Sequence, residues 1–278
     1  MDPALVCKLF FVLSTTVLLG GVLVPSMRES IMNYGSRLSN TNPKTKDSKQ
    51  KGVVTSLMDF VASLKVPHPW FTHFYVVSVA SSIFWAFQIT TRGFAFQYLA
   101  SHSHDGYGGM SVNQAFLAWL FMAIQGIRRA YESFTLTKPS QSKMWVGLWI
   151  LGIAYYIFMG VSVWIEGIGA LNESRPLIEM LEFSRPSIKT LIASHLFVLG
   201  SAAQHICHKH LASLKKYTLP NHPFFRFLIC PHYTSECLIY VAIAIVATPE
   251  GQIMNRTMLA GSGMRRNSGL KELRVAGL

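Results

Sequence analysis

The chain has 278 residues, of which half are apolar and only 14% are charged. Soluble domains usually carry about a quarter of charged residues, so this chain is poor in groups that face water. The composition excludes a disordered chain, a collagen-like chain and a small disulfide-rich scaffold. The formal net charge of +12 would suit a nucleic-acid binder, but the charges lie between long apolar stretches. A polytopic membrane protein is therefore predicted.

Six stretches have the apolar character of membrane helices, which need about 20 residues to cross a bilayer. The first, 4–24, is interrupted only by Lys8 and lacks the basic start and cleavage site of a signal peptide. The others are 70–89, 112–127, 144–165, 188–206 and 233–248. None alternates as barrel strands do. The predicted fold class is all-α, a polytopic helical membrane protein with about six transmembrane helices.

The loops between these segments alternate in charge, and the basic loops of a membrane protein face the cytosol. Loop 26–68 has seven basic and three acidic residues. Loop 128–143 has four basic residues and one acidic residue, and loop 207–232 has four basic residues and no acidic residue. Loop 90–111 is balanced, and loop 166–187 has two basic and four acidic residues. The amino terminus is therefore predicted on the far side, together with Asn172, which starts a glycosylation sequon.

Three clusters of ionisable and aromatic side chains border the apolar segments, where such groups are costly and usually functional. The first, 67–75, holds His73 in an aromatic run that would serve equally well as an interfacial belt. The second, 128–132, is typical of either a positive-inside anchor or a phosphate site, because its two arginines can bind phosphate. The third and densest, 204–236, is rich in histidine and lysine.

The histidines raise the alternative of a metal-dependent lipid hydroxylase. His205 and His208 share a helical face, and His102 and His104 could add ligands. These two pairs lie on opposite sides of the predicted membrane, so no metal site is predicted. The sequence lacks a strand–GxGxxG–helix unit and a GxSxG elbow, so a dinucleotide would have to bind between helices and cytosolic loops, with its phosphates on cationic side chains.

The third cluster resembles the carboxyl-terminal signature of the steroid 5-alpha-reductase family. The resemblance rests on His208, the step 214–216, Tyr217, Pro220, Phe224-Phe225, Pro231-His232-Tyr233-x-x-Glu236 and Tyr240. Within that family, the runs Trp70-Phe71-x-His73-Phe74-Tyr75 and Arg128-Arg129-x-Tyr131-Glu132 are similar to the polyprenol (polyprenal) reductase branch. The similarity covers roughly residues 60–248.

The resemblance implies a helical protein of the endoplasmic reticulum membrane that takes NADPH as its hydride donor. Its substrate would be a long-chain isoprenoid lipid, whose alpha-isoprene unit is saturated on the way to dolichol for protein N-glycosylation. The cofactor-binding positions of the family fall on Arg129, His208, Lys215, Tyr217, His232 and Glu236. Lys215 replaces the arginine that is common there, and lysine lacks the bidentate fork.

The expected chemistry favours an aldehyde substrate over an allylic alcohol, because the charge that hydride addition creates can be delocalised only in the unsaturated aldehyde. An acid must then hydrogen-bond the carbonyl oxygen. The catalytic tyrosine of the steroid branch has no obvious counterpart near Arg129, and its catalytic glutamate would fall near His73. We therefore expect His73 or Tyr131 as the donor, with Glu132 as its orienting residue.

The carboxyl end departs from the family. The family continues past the sixth segment with another membrane helix and a basic aromatic tail, whereas residues 249–278 are polar and lie on the predicted far side. We expect a truncated or mis-spliced frame with little reductase activity, so an inactive relative is a further alternative. The predicted parts are a transmembrane helix (1–25), a basic cytosolic loop (26–68), a reductase-like membrane domain (69–248) with its cofactor signature at 204–240, and an atypical tail (249–278).

Overall fold

Long helices packed side by side make up most of the computed structural model, which describes residues 1–23, 60–61, 63–103, 109–138, 141–173, 181, 185–215, 218–249 and 252. The helices are α1 Pro3–Leu23, α2 Thr72–Thr91, α3 Phe94–His102, α4 Val112–Thr135, α5 Val146–Ser162, α6 Ile168–Leu171, α7 Ile188–Ser213, α8 Phe224–Phe227 and α9 Pro231–Val246. Short 3₁₀ turns at His68–Phe71 and Ile165–Gly167 precede α2 and α6. Each predicted apolar segment falls on one long helix, so the all-α class is confirmed.

Four helical stretches in the described part of the chain are long and apolar enough to cross a membrane: Pro3–Gly20, His68–Thr91, Val146–Leu171 and Ile188–Ser213. Helix α9 is apolar but shorter, and α4 ends in the charged turn 128–132. The chain is therefore a helical membrane protein. That all six segments cross the bilayer stays a prediction.

The helices meet at close contacts between small residues. Helix α7 packs along α9, and α2 lies between α4 and α5. A Cβ atom on Gly126 would lie 2.7 Å from Ser78 Oγ, and one on Gly200 would lie 3.0 Å from a side-chain carbon of Ile239. Membrane helices associate through such small residues because these let the backbones approach. The contact at Gly126 joins α4 to α2 one turn before the second charged cluster.

Two helices run further than the sequence predicted. Helix α4 continues to Thr135, so the cluster 128–132, predicted as part of a loop, forms its final turns. Arg128 and Arg129 pair with Glu132 at i,i+4 and i,i+3 spacing, and such pairs stabilise a helix. Helix α7 likewise continues past residue 206 to Ser213. The loops 128–143 and 207–232 are correspondingly shorter than predicted.

A short two-stranded ladder and the helix α3 were absent from the sequence prediction. Strand β1, Lys65–Pro67, pairs antiparallel with strand β2, Lys143–Trp145. Three-residue strands are too short to show a period in the sequence. The ladder stands just before α2 and α5, so it holds the beginnings of these two helices at the same level. Helix α3 occupies part of the predicted loop 90–111.

The two ends of the helix bundle differ in character. One end gathers the ladder, the start of α2, the ends of α4 and α7, and the start of α9. At the other end Lys8 Nζ lies 3.8 Å from Glu166 Oε1, and Gln114 Nε2 and Lys189 Nζ each donate to the Thr248 carbonyl at 3.0 Å. The end with the ladder is the one that the charge pattern places in the cytosol.

We expect Cys230, which is exposed, to react with a membrane-impermeant maleimide in sealed microsomes, because it follows α8 in a predicted cytosolic loop. The measurement uses a Cys237→Ser background, since Cys237 is also exposed whereas Cys7 and Cys207 are buried. An Asn172→Cys change in a chain that also lacks Cys230 should react only after detergent opens the vesicles. The reverse labelling pattern would contradict the predicted orientation.

Candidate active site

A buried carboxylate, Glu132 on α4, lies at the centre of the charged cluster. Its Oε1 accepts hydrogen bonds from Arg128 Nη1 at 2.7 Å and His205 Nδ1 at 2.8 Å. Its Oε2 accepts from Arg129 Nη1 and His208 Nδ1, both at 2.7 Å. Only 1% of the Glu132 side chain is exposed. Each carboxylate oxygen is thus held by one arginine of its own helix and one histidine of α7.

These contacts determine the charge state of Glu132, which lies beyond the apolar part of α4. Burial by itself would raise the pKa of this carboxyl group. The hydrogen bonds from His208 and His205, the Arg128 charge and the Arg129 hydrogen bond together lower the pKa well below its usual range. Glu132 is therefore ionised at neutral pH, and a group in that state orients its neighbours but donates no proton.

Arg128 connects the carboxylate to a pair of buried glutamines. Its Nη2 donates to Gln125 Oε1 at 2.6 Å and also to Gln204 Oε1. Gln204 Nε2 in turn donates to the backbone carbonyl of His232 at 3.3 Å. Gln125 and Gln204 are almost completely buried. This network ties α4 to α7 and to the first turn of α9, where His232 lies.

Arg129 points the other way, towards α2. Its Nη2 donates to the hydroxyl oxygen of Tyr75, and its Cζ lies 4.6 Å from the centre of the Tyr75 ring. Its Nη1 lies 2.9 Å from His208 Nδ1, the nitrogen that donates to Glu132 when it carries its hydrogen. Because that nitrogen carries its hydrogen in the bond to Glu132, it cannot also accept one from Arg129. Arg129 is therefore held by its hydrogen bonds to Glu132 and Tyr75, and it lies beside His208.

Arg129 and Tyr75 form part of the wall of an open cavity of about 830 Å³ between α2, α4, α7 and α9. We call it the main cavity; it is lined by His68, Pro69, Phe71, Thr72, Tyr75, Arg129, Ser133, Thr137, His208, Leu211, His232, Tyr233 and Glu236. A second opening of about 630 Å³, the side cavity, adds Glu132, Leu136, Lys138 and Ala212. Both cavities share Arg129, Thr137, His208 and Leu211.

Four of the six residues predicted to bind the cofactor line the main cavity: Arg129, His208, His232 and Glu236. Lys215 is exposed just past the end of α7 and is absent from the residues described as lining either cavity. Tyr217 lies outside the described residues. The structure thus brings together most of this predicted set from three helices.

The predicted proton donors lie elsewhere. His73 is exposed, with its ring 5.3 Å from Trp70 and 6.0 Å from Trp149. Tyr131 is 63% exposed on the outer side of α4. Neither is among the described residues that line the main or the side cavity. Of the three predicted catalytic residues, Glu132 alone contacts the cluster around Arg129.

The sequence prediction gave no role at the site to three residues of this cluster, Tyr75, Gln125 and Gln204, although Tyr75 ends the first cluster and Gln204 begins the third. A signal existed for the two glutamines, because each is a polar side chain within a predicted apolar segment, where such groups usually have a partner. The helical period places Tyr75 on the opposite face of α2 from His73, but it does not show which of the two faces meets the cluster.

The described residues contain no group of three or more histidine, cysteine, aspartate or glutamate side chains placed to hold a metal ion. His205 and His208 instead direct their Nδ1 atoms to the two oxygens of Glu132. His104, one of the two histidines considered as additional ligands, lies outside the described residues. The metal-dependent alternative is therefore not favoured.

Comparison with known proteins identifies relatives for most of this region. Residues 180–255 match the family of 3-oxo-5-alpha-steroid 4-dehydrogenases. The human polyprenal reductase is 25% identical over 203 residues, which are 65% of this chain and 62% of that protein. The yeast polyprenal reductase is 26% identical, covering 71% of this chain and 64% of the relative. Polyprenal reductase 1 of Arabidopsis thaliana is 25% identical, covering 79% of this chain and 73% of the relative.

The chain thus spans less than two thirds of the length of the human and yeast relatives that it matches. No solved structure matches it. The family match covers α7, α8 and α9, which supply His208, His232 and Glu236 to the main cavity. The predicted resemblance is therefore confirmed: residues 180–255 are similar to the family of 3-oxo-5-alpha-steroid 4-dehydrogenases, and about two thirds of the chain is similar to polyprenal reductases.

Proposed function

We propose that the chain is an NADPH-dependent reductase of the endoplasmic reticulum membrane that saturates the alpha-isoprene unit of polyprenal, a step towards dolichol for protein N-glycosylation. The observation that carries this proposal is the main cavity, where cationic and histidine side chains from three helices converge at one end of the helix bundle. The relatives are named polyprenal reductases, which supports the choice of substrate.

The side chains of the two cavities suit a phosphorylated dinucleotide. Arg129 and Lys138 supply positive charge in the side cavity, and an arginine guanidinium can bind phosphate through two parallel hydrogen bonds. His232 lines the main cavity, and its Nδ1 is buried with no hydrogen-bond partner among the described residues, so a ligand that reaches this nitrogen would satisfy it. When bound, NADPH supplies the hydride. Arg129, His208, His232 and Glu236 would hold it, with Lys215 and Tyr217 as further candidates.

The opposite wall of the main cavity suits the end of a lipid. Pro69, Phe71 and Thr72 at the start of α2, together with Tyr233 at the start of α9, form a mostly apolar and aromatic rim. Aromatic residues are typical of the membrane–water boundary, where the aldehyde group of a long isoprenoid would lie. The tail of the substrate would remain in the bilayer, entering laterally between helices.

The proposal predicts stereospecific transfer of deuterium from [4-²H]NADPH to the beta-carbon of polyprenal. Purified chain in excess over substrate, with long incubation, detects even slow turnover by mass spectrometry of the extracted lipid. Polyprenol of the same length should gain no deuterium, because the alcohol cannot delocalise the charge. Deuterium in polyprenol would shift the proposal to the alcohol. An unlabelled polyprenal would contradict the reductase, and an iron-dependent hydroxylated product would favour the alternative enzyme.

A further inference from the structure

The reductase needs a group that hydrogen-bonds the carbonyl oxygen of its substrate, and Tyr75 meets this need geometrically. Tyr75 is buried, with 9% of its surface exposed, and it lines the main cavity beside Arg129, His232 and Glu236. The two donors expected from the sequence, His73 and Tyr131, are exposed and lie away from the described lining of this cavity.

The hydrogen bond from Arg129 leaves the Tyr75 hydroxyl able to donate a hydrogen bond to a ligand. Arg129 Nη2 donates to the Tyr75 hydroxyl oxygen, so that oxygen acts as an acceptor in this contact. A phenol carries one hydrogen and donates it to another group. Within the described residues, the contact with Arg129 is the hydrogen bond that this hydroxyl makes, and no acceptor lies within reach of the phenolic hydrogen. The hydroxyl hydrogen of Tyr75 is therefore free to bond a ligand in the cavity.

The same contacts stabilise the charge that develops when this hydrogen is shared or lost. The Arg129 guanidinium lies beside the phenolic oxygen and is itself held in place by Glu132, whose Oε2 is 2.7 Å from Arg129 Nη1. An opposite charge nearby favours an ionised group. A donor that is fixed before the substrate arrives costs no reorganisation during the reaction.

On the basis of the proposed function, we propose that Tyr75 is the catalytic residue that donates its hydroxyl hydrogen to the carbonyl oxygen of polyprenal. Bound NADPH would supply the hydride, so a C–H bond of its nicotinamide would break, leaving NADP⁺, as a C–H bond forms at the beta-carbon. The π pair of the substrate's C=C bond then forms the double bond between the alpha-carbon and the carbonyl carbon, and the π pair of the C=O bond moves onto the carbonyl oxygen. That oxygen takes the Tyr75 proton, giving an enol and a phenolate beside Arg129. Tautomerisation of the enol places a proton on the alpha-carbon, and water at the cavity mouth returns a proton to Tyr75.

The first test compares Tyr75→Phe with wild-type chain in the deuterium-transfer assay. Loss of one preorganised donor lowers kcat by about 10²–10³-fold, whereas NADPH binding measured by fluorescence titration should be largely retained. Tyr98→Phe, which removes the hydroxyl of an exposed tyrosine on α3, is the matched control and should keep the wild-type rate. Full activity of Tyr75→Phe would overturn the proposal, and loss of activity in His73→Phe would then point to His73 as the donor.

The second test requires no turnover. A saturated aldehyde of the same chain length, labelled with ¹³C at the carbonyl, binds without being reduced at a double bond. Its infrared C=O stretch in the chain should lie at lower frequency than in Tyr75→Phe, because a hydrogen bond weakens the carbonyl bond. Identical stretches would overturn the role of Tyr75. Wild-type chain that transfers no deuterium but shows the shift would contradict the reductase while leaving Tyr75 as a carbonyl-binding residue.

Discussion

Replacing Glu132 with alanine is expected to destabilise the chain by about 3–5 kcal/mol, the usual cost of removing one partner from a buried ion pair. Arg128 and Arg129 would remain as buried positive charges with side chains that are only 17% and 14% exposed. At the usual 2–4 °C per kcal/mol, the midpoint of thermal unfolding in detergent should fall by about 10 °C. Bound NADPH should fail to restore it fully.

The matched control for this change is Glu173→Ala, which removes an exposed carboxylate near the other end of the helix bundle and should shift the midpoint little. The midpoint of Glu132→Gln should lie between those of Glu132→Ala and Glu173→Ala, since the amide keeps one hydrogen-bond acceptor but loses the charge. A midpoint for Glu132→Ala equal to that of wild type would mean that water enters the cluster and solvates both arginines. The central role given to Glu132 would then be wrong.

Replacing Arg129 with alanine should raise the dissociation constant for NADPH by about 10–150-fold, because one charge-assisted contact is worth about 1.5–3 kcal/mol. Lys215→Ala should raise it by much less, since Lys215 is exposed and lies outside the described cavity lining; exposed charges contribute about 0–1 kcal/mol. Titration of purified variants measures both constants directly.

Two comparisons distinguish phosphate binding by Arg129 from a structural role. Arg129→Lys keeps the charge but loses the planar fork, so its affinity for NADPH should be intermediate. Affinity for the saturated aldehyde should change much less than affinity for NADPH. Equal losses for both ligands would mean that Arg129 only anchors α2 to α4 through Tyr75 and Glu132.

The helices were predictable because the bilayer imposes a length on every apolar segment. Where the apolar pattern stops, at residues 127 and 206, the sequence no longer showed that the helices continue. Their last turns are held by ion pairs at i,i+3 and i,i+4 spacing in α4 and by packing of α7 against α9. Hydropathy registers neither effect.

The site was predictable to the extent that it rests on residue type. Arg129, His208, His232 and Glu236 were identified from motifs and do line one cavity. The sequence could not decide among neighbours where the decision depends on side-chain direction. His73 is exposed and Tyr75, two residues further along α2, lines the main cavity; only packing determines which side of the helix faces the cavity. Lys215 was placed at the site by motif, but its position relative to a bound ligand depends on the segment after α7.

The contacts of Glu132 also bear on how the chain is synthesised and inserted. Its arginine partners lie three and four residues away on the same helix, whereas its histidine partners are 73 and 76 residues further along the chain. While a ribosome is still producing α7, the emerging α4 already pairs its two arginines with one carboxylate, so this cluster keeps a net charge of only +1. The cluster can therefore lie among lipid headgroups before α7 and α9 are made. The insertion of α4 does not require that the histidines of α7 are already in place.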